Sequence, residues 1–287
     1  MQRELLLRKK KEGDRMIKSS CHTHTEFCDG KSTAEEMVLS AIKKGFTSLG
    51  FSGHSPMDFP NTWGMTQENL PLYIAEINRL KEKYKDSIEV VCGIELDADY
   101  IGVNLSDFAY SIGSVHQLRF GKEVYYLDYS ADETRRCINN HFGGNPSLLA
   151  KAYFERLRDF IINTPVTVVG HFDLIQKFCK TDEIFDESDP VYRNSAIDAV
   201  RKILVAKPGM IFEVNTGAMY RKGNDSPYPA KFILEEINHL GGRVTVSSDS
   251  HCTESIDFAY DKAEEYCKEC GVTETYNLKS GVFALNY

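Results

Sequence analysis

The sequence predicts an α/β protein whose parallel strands close into a barrel, and three observations carry that reading. Short β-prone apolar runs alternate with amphipathic helical stretches seven times, the order that builds parallel sheets. Each apolar run finishes in side chains able to bind a metal, at the end where the chemical groups of barrels collect. A length of 287 residues with 42% apolar content suffices for one large core, which such barrels bury as one domain.

The elements follow in order. Residues 16–21 alternate as a first strand and run into Cys21-His22-Thr23-His24-Thr25-Glu26-Phe27-Cys28-Asp29-Gly30. Period-two alternation places His22 and His24 on one face, and Asp29 falls in the turn. Ser32 or Thr33, with Glu35 and Glu36, opens a helix that Gly45 closes. Residues 47–52 form a second strand ending in Gly53-His54, and residues 66–84 a longer helix. A third strand, 88–94, ends in Glu95, and a fourth, 108–115, in His116. Residues 117–146 show no regular pattern and read as a long excursion lying over a site. A helix at 147–162 leads to a fifth strand, 166–170, ending in His171. A polar loop with Asp182, Asp186 and Asp189 enters the helix 191–205. The sixth strand, 210–214, carries Glu213 and Asn215 at its end. A helix from Pro229 or Ala230 to Leu240 stops at Gly241-Gly242, before a seventh strand, 244–247, that runs into Ser248-Asp249-Ser250-His251. A last helix, 255–270, and a terminal strand, 281–285, complete the chain.

Taken singly, a strand-end histidine is a packed imidazole bonded to a carbonyl, and Glu95 a capping or exposed carboxylate. Six of the eight histidines landing at strand ends is a metal-binding pattern. His141, in the excursion, and His239, near a helix end, fall outside it. Nitrogen and oxygen donors without a thiolate suit zinc, manganese or iron.

A net charge of −8 and a pI near 5.6 exclude nucleic acid as the main partner, because a duplex-binding surface needs basic coverage. No apolar run approaches the length that spans a bilayer. Eight cysteines without framework spacing, and no secretory apolar segment, point to reduced thiols in a cytoplasmic protein. Cys267 and Cys270 form a C-x-x-C without a second pair, which is not read as a metal or redox site. Residues 1–15, with Arg3, Arg8, Lys9, Lys10, Lys11 and Arg15, read as a flexible basic tail, and Met16 would serve equally as a start. The expected domain is therefore 16–287; the oligomeric state is left open.

The motifs His22-Thr-His24-Thr-x-x-Cys-Asp29-Gly30, Gly53-His54-Ser-Pro, Gly93-Ile-Glu95, Gly113-Ser-Val-His116, Gly170-His171-Phe-Asp173, Glu213-Val-Asn-Thr-Gly217 and Ser248-Asp249-Ser-His251 resemble the polymerase and histidinol phosphatase (PHP) superfamily. Within it the chain is most similar to the monofunctional histidinol-phosphate phosphatases. The likeness covers almost everything from Met16 onward, in the family's order. It implies a distorted (β/α)7 TIM-like barrel with a trinuclear metal centre. On that pattern His22, His24, Glu95 and Asp249 would hold a first ion, with Glu95 bridging to a second held by His116 and His171. Asp29, His54 and His251 would hold the third. The chain departs from the family at Ser20, where an aspartate is common, and at Gly53, where a carboxylate or amide is common.

The expected activity is hydrolysis of L-histidinol phosphate to L-histidinol and phosphate, a step of histidine biosynthesis. Three divalent ions bring a charge of about +6 against three ligand carboxylates, and the excess suits a phosphate dianion plus one hydroxide. The expected mechanism is in-line attack on phosphorus by a hydroxide bridging two ions. Arg221 matches a family position facing the phosphate, and Lys177 is an alternative phosphate contact. Asp173 is the candidate acid or ligand partner, Glu213 and Asn215 are expected to support the ligands, and Asp128 to receive the substrate's amine or imidazole. Alternatives are a PHP phosphoesterase acting on nucleotides or other small phosphates, and a non-catalytic metal-binding module.

Overall fold

The structure, a computed structural model, describes residues 18–285; the basic stretch 1–15 and Met16 lie outside the described residues. Seven parallel strands run side by side: β1 (Lys18–Ser20), β2 (Phe46–Phe51), β3 (Glu89–Asp97), β4 (Tyr110–Ser114), β7 (Val168–Val169), β8 (Ile211–Asn215) and β9 (Arg243–Ser247). Beyond the strand ends β9 returns to β1: the His24 N–H donates to Ser250 O at 2.8 Å and the Ser250 N–H to His22 O at 3.2 Å. The nearly closed barrel is therefore completed by the loops that carry its histidines.

Helices cover the outside: α1 (Ala34–Lys43), α2 (Asn69–Tyr84), α4 (Pro146–Asn163), α6 (Pro190–Ala206), α8 (Lys231–His239) and α9 (Tyr260–Glu269). α1 starts where the sequence signals it, in a reciprocal cap between Thr33 and Glu36. α2 starts later than expected, because Thr66 first turns the chain by accepting the Asn69 N–H. α5 (Cys179–Asp182) and α7 (Gly217–Lys222) are short.

Two expectations are corrected. The excursion after His116 is ordered: β5 (Gln117–Phe120) and β6 (Glu123–Tyr126) form an antiparallel hairpin, followed by α3 (Ala131–His141) capped by Ser130. Its strands are four residues each, too short for alternation to stand out, and Gly121 turns them at φ 65°. The terminal strand is half of a second hairpin, β10 (Tyr276–Lys279) with β11 (Val282–Leu285), whose turn residues Ser280 and Gly281 both have positive φ. The third strand also runs on past Glu95 to Asp97.

Alternation along β3 divides the molecule. Val90, Cys92, Ile94 and Leu96 join the core under the helices, while Val91 points into the lumen with Cys21, Tyr110, Ile112, Val168 and Ile211. Leu278 of β10 plugs that lumen from below, its N–H donating to Ser19 Oγ at 3.1 Å. Tyr110 lies across the plug, its phenol donating to Cys21 O and Phe51 O. Glycine is required opposite: a Cβ at Gly50 or Gly93 would stand 2.3 or 2.4 Å from Tyr110 atoms. Continuing the alternation upward, Glu95, Ser114 and Glu213 make the upper lumen polar and buried.

Candidate metal centre

At the carboxyl ends of the strands, nine side chains from six strand ends and one turn converge. Ligand-competent atoms of His24, Asp29, His54 and His251 lie within 4.8 Å of one another. The same holds for His22, His24 and Glu95, for His22, His171 and Asp249, and for His54, Glu95 and His116. Glu95 is central: Oε2 is 3.3 Å from His22 Nε2 and 3.7 Å from His24 Nε2, and Oε1 is 3.1 Å from His171 Nε2 and 3.7 Å from His116 Nε2. His24 Nε2 is 3.2 Å from Asp249 Oδ1, and His251 Nε2 is 3.3 Å from Asp29 Oδ2.

These atoms are buried yet unsatisfied. Among the described residues His22 Nε2, His24 Nε2 and Glu95 Oε2 make no hydrogen bond of good geometry, although Asp249 Oδ1 stands 3.2 Å from His24 Nε2 and His54 Nδ1 stands 2.8 Å from Glu95 Oε2. Orphaned buried polar atoms are costly, and three of them aimed at one point fit a cation that would satisfy all three. The electrostatics keep the carboxylates ionised, and against burial those carboxylates, led by Glu213 at His22 and Glu95 at His116, raise these two imidazoles. Burial alone would raise Glu95, but the surrounding imidazoles, led by His22 and His54, hold it well below the usual carboxylate range. Burial lowers His24, and the neighbouring His251 and His54 lower it further, which keeps its imidazole neutral and able to donate a lone pair. Asp249 likewise stays ionised against burial, chiefly through Arg221 and His22.

Carboxylates behind the histidines fix which nitrogen faces the centre. Glu213 accepts from His22 Nδ1 at 2.7 Å, from the His171 N–H at 2.9 Å, from Asn215 Nδ2 at 2.9 Å and from Ser247 Oγ. Asp97 accepts from the His116 N–H at 2.9 Å and pairs with His116 Nδ1 at 3.0 Å. In both cases the outer nitrogen is engaged and Nε2 is left for the centre. Asp97 is absent from the sequence-based expectations, although a strand continued two residues past Glu95 would have placed it on the inner face. Ser114, also unforeseen, donates to Glu95 Oε1 at 2.6 Å.

Asp249 sits in the left-handed region at φ 48°, a conformation that costs free energy unless its surroundings impose it. Arg221 imposes it, donating to Asp249 O and to Asp249 Oδ2, both at 2.7 Å, while Nη1 lies 3.1 Å from His251 Nδ1. A Cβ at Gly217 would stand 2.8 Å from Arg221 Nη2 and 2.9 Å from Asp249 Oδ2, so glycine lets α7 approach this pair.

Over the centre opens a pocket of about 660 Å³, lined by His54, His116, His171, Asp249 and His251 together with Trp63, Tyr126, Asp128, Lys177, Tyr220 and Arg221. Lys177 Nζ pairs with Asp128 Oδ2 at 3.2 Å in its wall. Asp173 does not reach this pocket. It is fully buried, and its Oδ2 accepts the Ala230 N–H at 2.9 Å and the Tyr192 phenol at 3.3 Å, tying α6 to the start of α8. Burial raises its carboxyl to about 7. Expected as acid or ligand partner, it stands at the start of the 3-10 turn Leu174–Phe178, where its carboxylate also accepts from Gln176. His141 stacks on Phe120 at 3.9 Å, and His239 ends α8, both apart from the histidine cluster.

Comparisons with known proteins add to the geometry. A Schizosaccharomyces pombe protein described as "Probable histidinol-phosphatase" is 32% identical over 91% of this chain and 90% of its own. The Bacillus subtilis histidinol-phosphatase is 27% identical over 88% of this chain and all of its own. A crystal structure of histidinol phosphate phosphatase from Lactococcus lactis, solved with zinc, L-histidinol and phosphate, has a TM-score of 0.69 at 21% identity, covering 93% of this chain and 99% of that one. The PHP domain model matches residues 20–217, the span from the first strand to the glycine beside Arg221. With that match and the fission-yeast relative over nearly its whole length, the chain belongs to the PHP domain family.

Proposed function

We propose that the chain hydrolyses L-histidinol phosphate to L-histidinol and phosphate at a centre of three divalent ions. The orphaned donors of His22, His24 and Glu95 are the observation that carries the metal reading. The activity for which the relatives are named carries the substrate. His22, His24, Glu95 and Asp249 are assigned to one ion, Glu95, His116 and His171 to a second, and Asp29, His54 and His251 to a third. This grouping follows the family pattern, and every one of the nine falls in a cluster of converging donor atoms. Zinc, manganese or iron suits the donors. Such ions supply Lewis acidity at the phosphoryl oxygens and lower the pKa of a water nucleophile.

The chain's own residues do the rest. Arg221 holds Asp249 with two of its N–H groups and offers its remaining donors to the phosphoryl oxygens from the pocket wall. Lys177, steadied by Asp128, provides a second cationic contact for phosphate. Asp128 is the pocket carboxylate assigned to the substrate's amine, and the Lys177 pairing keeps it ionised against burial. Glu213 and Asp97 hold the imidazoles in one tautomer. The eight cysteines are free, which fits a cytoplasmic setting, and no helix of the described residues is long and apolar enough to cross a membrane.

The test is steady-state phosphate release from L-histidinol phosphate against nucleoside monophosphates and sugar phosphates, with manganese or zinc supplied. A preference of about a hundredfold in kcat/KM, near 2.7 kcal/mol of discrimination, is expected. A flat or nucleotide-preferring profile would overturn the substrate.

A further inference from the structure

The metal centre and Arg221 address the phosphoryl group, which every phosphomonoester shares, so they cannot by themselves choose between alcohols. That choice falls to the pocket wall, and one side of it is built from two segments that supply no metal donor. The first is the loop 56–64 after His54. Its Trp63 is the chain's single tryptophan, half-buried and facing the pocket. The indole meets His54 edge-on with ring centroids 4.7 Å apart and lies tilted against His116 at 5.2 Å. It is held firmly. Asn61 Oδ1 accepts the N–H of Gly64 at 2.7 Å and of Trp63 at 3.2 Å, and the Met65 N–H returns to His54 O at 3.0 Å.

The second segment is the β5–β6 hairpin, which contributes Tyr126. Its phenol donates to Pro60 O at 3.4 Å, and Arg119 on β5 binds Asp58 while its guanidinium sits 5.5 Å from the Phe59 ring centre. Loop and hairpin are thus clamped into one aromatic wall beside the donors of His54 and His116. Preorganised rings lose little entropy on accepting a partner.

Resting on the phosphatase reading above, we infer that Trp63, with Tyr126, is the surface that selects a flat unsaturated ring in the leaving alcohol. The ions and Arg221 bind the phosphate, and stacking on this wall decides which alcohol is attached to it. Ring pairs of this kind are worth roughly threefold to tenfold in binding.

Three measurements test the inference on metal-replete protein. Wild type is first compared on L-histidinol phosphate and O-phosphoethanolamine, which share the phosphate and the amine but not the ring. A wild type that fails to prefer the ring substrate overturns both the substrate reading and the role of the wall. Given that preference, Trp63→Ala should lower kcat/KM about tenfold for L-histidinol phosphate and less than about twofold for O-phosphoethanolamine, with bound metal per chain unchanged. Trp63→Phe should restore most of the loss. Equal losses on both substrates would leave the phosphatase standing and remove the wall's role. Independently of any variant, L-histidinol with inorganic phosphate should shift the emission of Trp63, while ethanolamine with phosphate should not; no shift at saturating L-histidinol overturns the inference.

Discussion

The two ends of this barrel are made by the same strands with the same alternation, yet they solve opposite problems. Below, Val91, Tyr110, Ile112, Val168 and Ile211 close around Leu278, and the phenol among them finds backbone carbonyls. Above, the same inward positions become Glu95, Ser114 and Glu213, and some of their neighbours' polar atoms are left without partners. The lower layer gains free energy by burying apolar surface. The upper layer holds ionised and poorly partnered buried groups that a bound cation would satisfy. Burial of apolar surface and the convergence of polar groups are thereby separated along the barrel axis, and substitutions at one end should leave the other intact.

The largest effect is expected at Glu95. Glu95→Ala removes the carboxylate assigned to two ions under the proposed function, so metal analysis should show two sites emptied together and activity reduced by about a thousandfold or more. His54→Ala should cost mainly a single ion. Equal single-ion losses in the two variants would contradict the assignment of Glu95 as a bridge.

At the opposite end, Leu278→Ala should destabilise the fold by about 3 kcal/mol in urea denaturation, the range for a buried leucine truncated in a tight core. Metal content and kcat/KM of the folded fraction should stay as in wild type. A variant that lost metal in step with stability would show that the two ends are coupled.

Smaller effects are expected behind the centre. Glu213→Gln keeps the shape but can no longer accept from His22, His171 and Ser247 as a carboxylate. Metal affinity, measured by competition with a chelator, should fall about 10–100-fold. Asp97→Asn touches only His116 among the histidines and should lie at the lower end, near tenfold. If Asp97→Asn proved the more damaging of the two, Glu213 would not be the hub that its four donors make it.

Much of this was legible in the residues. Strand-end histidines recur because a parallel barrel exposes one end of every strand to the same space, so their spacing along the chain already encodes convergence. Thr33 with Glu36 announces a helix start through local hydrogen bonds alone. The excursion 117–146 was not legible, because strands of four residues and the turn at Gly121 gain their order by packing against α3 and the loop 56–64. Trp63 was silent for the same reason: nothing local says that it rests on His54 and His116.

Asp173 marks the limit most sharply. Its place two residues after His171 suggested a part in the chemistry, but a turn of 3-10 helix directs it into the α6 and α8 packing. The sequence by itself determined the barrel, its polar end and the nine side chains that converge there, since these follow from periodicity and side-chain chemistry. Only the tertiary structure decided which groups stand behind the donors, which ring walls the pocket, and which carboxylate is turned away, because these depend on contacts between residues far apart in the chain.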